Sequence, residues 1–173
     1  MTQARERRIV IVRHGKAVPK HTADDPDRDL TGRGRRDSAR AGRWLEESGH
    51  RFDLARCSTA VRARRTWQMI VPHLSAPPPA SYSEQLYHAD AAYLLAVLRG
   101  SAPELTGVLL VGHNPAVHDL AVTLCGSGPK PLRRTLEDGL PTAGVVVLTL
   151  DGPWERIGPG AAHLTDLWTP GDG

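Results

Sequence analysis

Arg8-Ile9-Val10-Ile11-Val12-Arg13-His14-Gly15, residues 8–15, is a run of β-branched side chains that stops at Arg-His-Gly. Val and Ile are stiff at χ1 and pack well on a pleated surface. The run has no polar alternation, which predicts a strand buried on both faces, as in a parallel sheet. The same design returns in Gly107-Val108-Leu109-Leu110-Val111, which leads into Gly112-His113-Asn114-Pro115. Each run delivers a histidine just past its C-terminal end. Open α/β sheets bind ligands in the crevice at the carboxyl ends of their strands. Two histidines 99 residues apart are therefore expected to meet there.

Outward from these runs the chain alternates strand and helix signals. Met1–Arg8 is polar and predicted to fray, and Ala17–Asp29 is a polar loop. Thr31 is placed to cap a helix that reaches about Ser48 and stops at Gly49. Ala39, Gly42, Trp44 and Leu45 would form its core face. Asp53–Cys57 is a second strand, and a helix from about Ala60 to Leu74 follows, ended by Pro77-Pro78-Pro79. A short helix is predicted over Ala91–Leu98, and another from Pro115 to about Cys125. Gly126–Pro131 is a loop, and Gly144–Leu150 is the last clear strand. Gly152–Gly173 is a Gly/Pro-rich tail with weak strand potential at Trp154–Ile157. The pattern implies one α/β domain over residues 1–173, with a core at about 8–150. Its architecture is a three-layer α/β/α sandwich around a mostly parallel central sheet.

Composition narrows the function classes. At 173 residues, with 40% hydrophobic and 24% charged, the chain suits a single globular domain. The formal net charge is +3, but the cations are interleaved with Asp and Glu. The densest group, Arg33, Arg35, Arg36, Arg40 and Arg43, falls on a predicted helix and reads as a solvated face. Nucleic acid is not expected as a partner. Cys57 and Cys125 form no CxxC pair. Ile9–Val12 is too short for a signal-peptide core, and no run approaches the ~20 apolar residues that span a bilayer. The expectation is a soluble cytoplasmic protein with no membrane partner.

The strand at Asp53–Cys57 runs into Ser58-Thr59-Ala60-Val61-Arg62-Ala63-Arg64-Arg65-Thr66. If Ser58 or Thr59 caps the next helix, Arg62 lies in its first turn and reaches the same crevice. Arg13, His14, Arg62 and His113 would then share one pocket. Two guanidiniums suit the equatorial oxygens of a phosphoryl group. A neutral imidazole is a competent nucleophile toward phosphorus, and a protonated second one would add charge in the transition state. This set draws on no metal or cofactor. His21, His50, His73, His118 and His163 read as ordinary loop or surface residues, while His88 follows Tyr87 in a segment able to fold back over the pocket. Gly32-Arg33-Gly34 lacks the third glycine of a dinucleotide fingerprint, and Gly126-Ser127-Gly128-Pro129-Lys130 lacks phosphate-loop spacing.

These residues resemble the histidine phosphatase superfamily, which includes the phosphoglycerate mutases. Arg13-His14-Gly15 is similar to its RHG signature, and Leu30-Thr31-Gly32-Arg33-Gly34 to its LTxxG helix start. Ser58–Thr66 is similar to its S-x-x-x-R-A-x-x-T segment, and Gly112-His113-Asn114-Pro115 to its second-histidine motif. The resemblance runs from about Arg8 to Leu150 and implies a phosphoglycerate mutase-like fold. It implies a phosphorylated nucleophile at His14, with Arg13, Arg62 and His113, and further Gly15 and Asn114, around the phosphoryl group. The small size looks most like the SixA branch, the bacterial protein phosphohistidine phosphatases. The substrate implied is a phosphorylated protein or, alternatively, a small phosphomonoester handled by a phosphatase or mutase. A non-catalytic module that binds a phospho-ligand is the other alternative. Mutase-like members use a glutamate as general acid. Glu84 is the candidate here, with Asp24, Asp25, Asp27 and Asp29 behind it.

Overall fold

The computed structural model describes residues 5–171, so Met1–Ala4 of the expected frayed terminus lie outside the described residues. The first strand starts earlier than its apolar run, β1 covering Glu6–Arg13. The other strands are β2 (Leu54–Ser58), β3 (Ala80–Ser83), β4 (Gly107–Gly112), β5 (Cys125–Ser127), β6 (Val145–Asp151) and β7 (Ala162–Trp168). Between them lie α1 (Gly32–Glu47), α2 (Val61–Ile70), α3 (Glu84–Tyr87), α4 (Ala91–Arg99), α5 (Ala116–Leu124) and α6 (Lys130–Asp138). One sheet holds the strands in the order β3-β2-β4-β1-β6-β7-β5. Among them β6 alone runs against the rest, pairing antiparallel with β1 and β7. The mostly parallel three-layer sandwich is the observed fold.

The absence of alternation in the two histidine strands has a direct structural cause. Ile9 and Ile11 of β1, with Val108 and Leu110 of β4, pack into one core beneath α4, α5 and α6. Val10, Val12, Leu109 and Val111 pack into the other, beneath α1 and α2. All eight side chains are at most 1% exposed. Each contributes roughly 1.5–3 kcal/mol by leaving water, so polar residues on either face would be costly. Thr31 caps α1 as expected, its Oγ1 accepting from the Gly34 N–H at 3.0 Å. Ala39, Gly42 and Leu45 are buried and Trp44 packs against the core from its edge. Arg33, Arg35, Arg36, Arg40 and Arg43 stand on the exposed face of α1.

The C-terminal third departs from the sequence reading. Trp154–Ile157 is not a strand: Trp154–Arg156 forms a 3₁₀ turn with Trp154 and Ile157 each 2% exposed. Burying an indole requires a partner for its N–H, and the turn aims Nε1 at the Leu105 carbonyl, 2.8 Å away. The strand lies further on, as β7, so the chain after Gly152 is part of the sheet. The Gly126–Pro131 loop is also shorter than expected, holding the edge strand β5 and the start of α6. Pro131 falls in the first turn of α6, where a missing N–H is harmless, so its breaker signal misleads.

Candidate functional site

Strand pairing brings the two histidines together. β1 and β4 are parallel neighbours with Arg13 opposite Gly112, and the His14 N–H donates to the Gly112 carbonyl at 3.0 Å. The next residue on each strand is a histidine, and their ring centroids lie 5.1 Å apart. His14 is 9% exposed. Its Nδ1 lies 2.7 Å from the Gly15 carbonyl. A carbonyl can only accept, so Nδ1 carries the proton and Nε2 keeps its lone pair. Burial pushes the His14 pKa down to about 3, the Gly15 carbonyl opposing and the nearby His113, Arg62 and Arg13 adding to the shift. His14 is therefore a neutral imidazole with one free basic nitrogen.

Gly15 is fixed by what surrounds it. Its N–H donates to Thr66 Oγ1 at 2.9 Å, and the Thr66 hydroxyl in turn donates to the Arg62 carbonyl at 2.7 Å. A Cβ on Gly15 would stand 2.6 Å from Ser38 Oγ and 2.7 Å from the Gly34 carbonyl. The glycine thus lets the β1 loop dock on α1 and α2. Its N–H is spent on Thr66, so Gly15 serves His14 through its carbonyl and offers no free donor to a phosphate.

Arg62 is the second residue of α2, as expected, but Ser58 is not the cap. Ala60 holds the N-cap position with no side-chain bond. Ser58 Oγ is instead buried at the end of β2, accepting from the Ala60 N–H at 3.2 Å and meeting His113 Nε2 at 2.8 Å. Burial lowers the His113 pKa to about 4, with Arg62 next in effect, Asp25 opposing, and Arg28 and Arg13 adding. His113 is thus neutral in the unliganded protein, where the sequence allowed for an imidazolium. Arg13 reaches across to the Leu140 carbonyl with Nη1 at 3.0 Å, and Asn114 Nδ2 reaches the same carbonyl at 3.0 Å.

Asp25 is the residue the sequence reading undervalued. Arg62 donates from Nη1 to the Asp25 carbonyl at 2.7 Å and from Nη2 to its carboxylate at 3.0 Å. Arg28 and the Tyr87 hydroxyl also donate to that carboxylate. Tyr87 first, then Arg28 and Arg62, hold its pKa well below the usual carboxylate range. Asp25 is therefore ionised and has no proton to give. Tyr87 lies under the Arg62 guanidinium and edge-on to His113, with centroids 5.4 Å apart. Only its nearness to His88 in the sequence hinted at this. Glu84 is exposed and lines a separate hollow of about 450 Å³ with Gln85, His88 and Tyr93. Among the described residues no hydrogen bond or ion pair joins it to His14, Arg13, Arg62 or His113. The other histidines expected to be ordinary are outside this cluster, though His50 is buried and meets Asp166 at 3.2 Å.

Eight buried side-chain polar atoms lack a partner among the described residues, and four gather here: Arg13 Nε, Arg62 Nε, His113 Nδ1 and Asn114 Oδ1. Each unmet group costs roughly 1–3 kcal/mol. Two cationic N–H donors beside a free imidazole nitrogen are what a tetrahedral oxyanion would satisfy. Among the described residues no group of three or more His, Cys, Asp or Glu stands together to hold a metal ion, and no helix is long and apolar enough to cross a membrane.

The two depressed histidines set a pH dependence. Unfolded, each titrates near 6.5. Between about 6.5 and 4 the unfolded chain binds protons that the folded chain does not, so stability falls as pH falls through that window. The slope from each histidine is at most about 1.4 kcal/mol per pH unit. Denaturant titrations of wild type and His113→Asn should show a shallower acid slope in the variant. Equal slopes would mean that His113 is charged in the folded protein.

The chain is similar to known proteins over 92% of its length in sequence and 98% in structure. The family model of the histidine phosphatase superfamily (branch 1) matches residues 9–90. An uncharacterized protein of Mycobacterium leprae is 33% identical over 165 residues, covering 92% of this chain and 99% of that protein. One of Mycobacterium tuberculosis is 34% identical over 161 residues, with the same coverage. Among solved structures, a Nakamurella multipartitia protein designated a SixA phosphohistidine phosphatase superposes with a TM-score of 0.83 at 26% identity, covering 98% of this chain and 99% of its own. One so designated from Agrobacterium tumefaciens gives 0.80 at 27%, covering 95% and 98%. The protein histidine phosphatase SixA complexed with tungstate gives 0.68 at 26%, covering 94% and 97%. With its paired strand–histidine junctions, its sheet order and these relatives, the chain belongs to the histidine phosphatase superfamily.

Proposed function

We propose that this protein is a phosphatase that takes a phosphoryl group onto Nε2 of His14 and passes it to water, and that its substrate is phosphohistidine carried by a protein. The observation that carries this reading is the locked tautomer of His14. The Gly15 carbonyl holds the Nδ1 proton at 2.7 Å, so the lone pair on Nε2 is presented at no cost in deprotonation. Around it stand the unpartnered donors Arg13 Nε and Arg62 Nε. With Nδ1 protonated, His113 adds a third, its Nε2 accepting from the Ser58 hydroxyl. These donors face the equatorial oxygens while Nε2 attacks in line, and they stabilise the charge that spreads over the oxygens in the transition state. Water then attacks the phosphohistidine in the same cradle. The chemistry draws on side chains alone.

A protein-borne phosphohistidine is supported by the structural likeness to the SixA proteins over nearly the whole chain. The P–N bond also asks less of an acid than an ester does, and the ionised Asp25 supplies none. Phosphate release from a phosphohistidine protein, a phosphohistidine peptide and a panel of small phosphomonoesters, in EDTA, tests the substrate. We expect kcat/KM for the phosphohistidine substrates to exceed that for every ester by at least about tenfold, the size of a modest pocket preference. Preference for one small ester would keep the phosphoenzyme chemistry and move the substrate to a metabolite. No release from any of them would leave a phospho-ligand binding module.

A further inference from the structure

On the Leu140 side of the site lies a hollow of about 520 Å³, lined by Arg13, Asn114, Thr135, Asp138, Leu140 and Thr169 among others. It adjoins the oxyanion cradle through Arg13, which lines the hollow and shares the Leu140 carbonyl with Asn114. Asn114, one of its lining residues, holds an unanswered atom. Its Nδ2 donates to the Leu140 carbonyl at 3.0 Å, which fixes which end of the amide is nitrogen. Its Oδ1 is thereby committed to another direction, and it is buried with no donor among the described residues. An ionised phosphoryl group offers only acceptors and does not satisfy it. An N–H on another part of the substrate would satisfy it.

We propose that Asn114 determines specificity by accepting a hydrogen bond from the leaving group, and that this leaving group is the protonated imidazole ring of a phosphohistidine. The inference rests on the phosphatase reading above and deepens it. In the reacting form, phosphorus sits on one ring nitrogen and a proton on the other. That N–H is the donor Asn114 Oδ1 lacks, and the Asp138 carboxylate lining the same hollow favours the ring's positive charge. The Nε2 lone pair of His14 forms the new bond to phosphorus. The P–N bond of the substrate breaks, and its electron pair stays on the substrate nitrogen. The ring departs as neutral imidazole with its N–H still on Asn114. No proton moves between protein and leaving group, so this site works without a general acid. An alkyl phosphate has neither the N–H nor the positive charge, and gains nothing from Asn114.

The test is the ratio of kcat/KM for a phosphohistidine peptide to that for phenyl phosphate, in wild type, Asn114→Leu and Asn114→Asp, from pH 5.5 to 8.5 in steps of about half a unit. Asn114→Leu removes the acceptor, and the ratio should fall by about tenfold or more, the scale of one hydrogen bond to a charged donor. Its kcat profile for the phosphohistidine peptide should also shift to lower pH, because the ring proton of the bound substrate is no longer held. Asn114→Asp keeps an acceptor and should hold the ratio at or above wild type. If both substrates fall together in Asn114→Leu, Asn114 serves the phosphoryl group or the Leu140 contact and the proposal is wrong. A ratio that drops equally in Asn114→Asp also overturns it. Wild type that turns over phenyl phosphate but not the peptide defeats this proposal and leaves the phosphatase reading standing. Wild type inactive on both defeats the phosphatase reading, and this proposal with it.

Discussion

Replacing His14 with Ala is expected to remove phosphate release by at least ~10⁴-fold on every substrate, because no other group in the cradle carries a free basic nitrogen toward phosphorus. His113 sits 5.1 Å away, centroid to centroid, but its Nε2 is engaged with Ser58. The variant should fold, since the backbone bond from residue 14 to the Gly112 carbonyl persists and the side chain lies at the rim of the core. Quenching wild type during turnover of a ³²P-labelled substrate should give an acid-labile, base-stable label on residue 14, absent from the variant. Retention of a tenth of wild-type activity, or a label elsewhere, would take the nucleophile's role from His14. The substrate arm is separate: this result holds whether phosphorus arrives on nitrogen or on oxygen.

Arg62→Ala is expected to cost ~10²–10³ in kcat/KM, the range for removing one preorganised donor from a developing oxyanion. Most of the loss should appear in kcat. Inhibition by tungstate, a tetrahedral oxyanion, should weaken in parallel. Arg62→Lys should recover only a small part, because an ammonium on a flexible stem does not reproduce the planar fork that holds Asp25 at two points. Removing Arg62 also leaves the Asp25 carboxylate to Arg28 and Tyr87 alone, and its less fully offset charge would repel phosphate. The double variant Arg62→Ala with Asp25→Asn separates the two effects. We expect it to be no more active than Arg62→Ala alone. Recovery to within threefold of wild type would show that Arg62 matters as a counter-charge and not as a donor to the phosphoryl group.

The reading of the sequence succeeded where local chemistry and tertiary environment agree. Both histidine strands are buried on two faces, so their sequences had to be uniformly apolar, and the residues after them had to emerge at one sheet edge. Thr31 and Arg62 were legible for the same reason, since a cap and a first-turn arginine are fixed by local geometry. Asp25, Tyr87 and the Leu140 carbonyl were not. Asp25 meets Arg62 across 37 residues of chain, Tyr87 meets Asp25 across 62 and Leu140 meets Arg13 across 127, and no periodicity records that. Asn114 and Gly15 stood in recognisable motifs, yet the direction of an amide and the use of one N–H depend on partners the motif does not contain. The C-terminal misreadings have a simpler origin. Proline and glycine punctuate the region, and Pro129, Pro131 and Pro153 all sit at element starts, where they are harmless.

The distance between His14 and His113 is set by a hydrogen-bond ladder and not by the length of chain between them. Adjacent strands stand about 4.8 Å apart whatever connects them. Loops between Gly15 and Gly107 can therefore change in length without altering how the two rings face each other, provided β1 and β4 keep their register and Ser58 and Thr66 keep their contacts with His113 and Gly15. Errors inside the strands are of another kind. Deleting one residue from Ile9–Val12 would turn every later side chain of β1 to the opposite face and carry His14 away from its partner. The fold thus separates the part of the gene that tolerates length variation from a few codons that tolerate none.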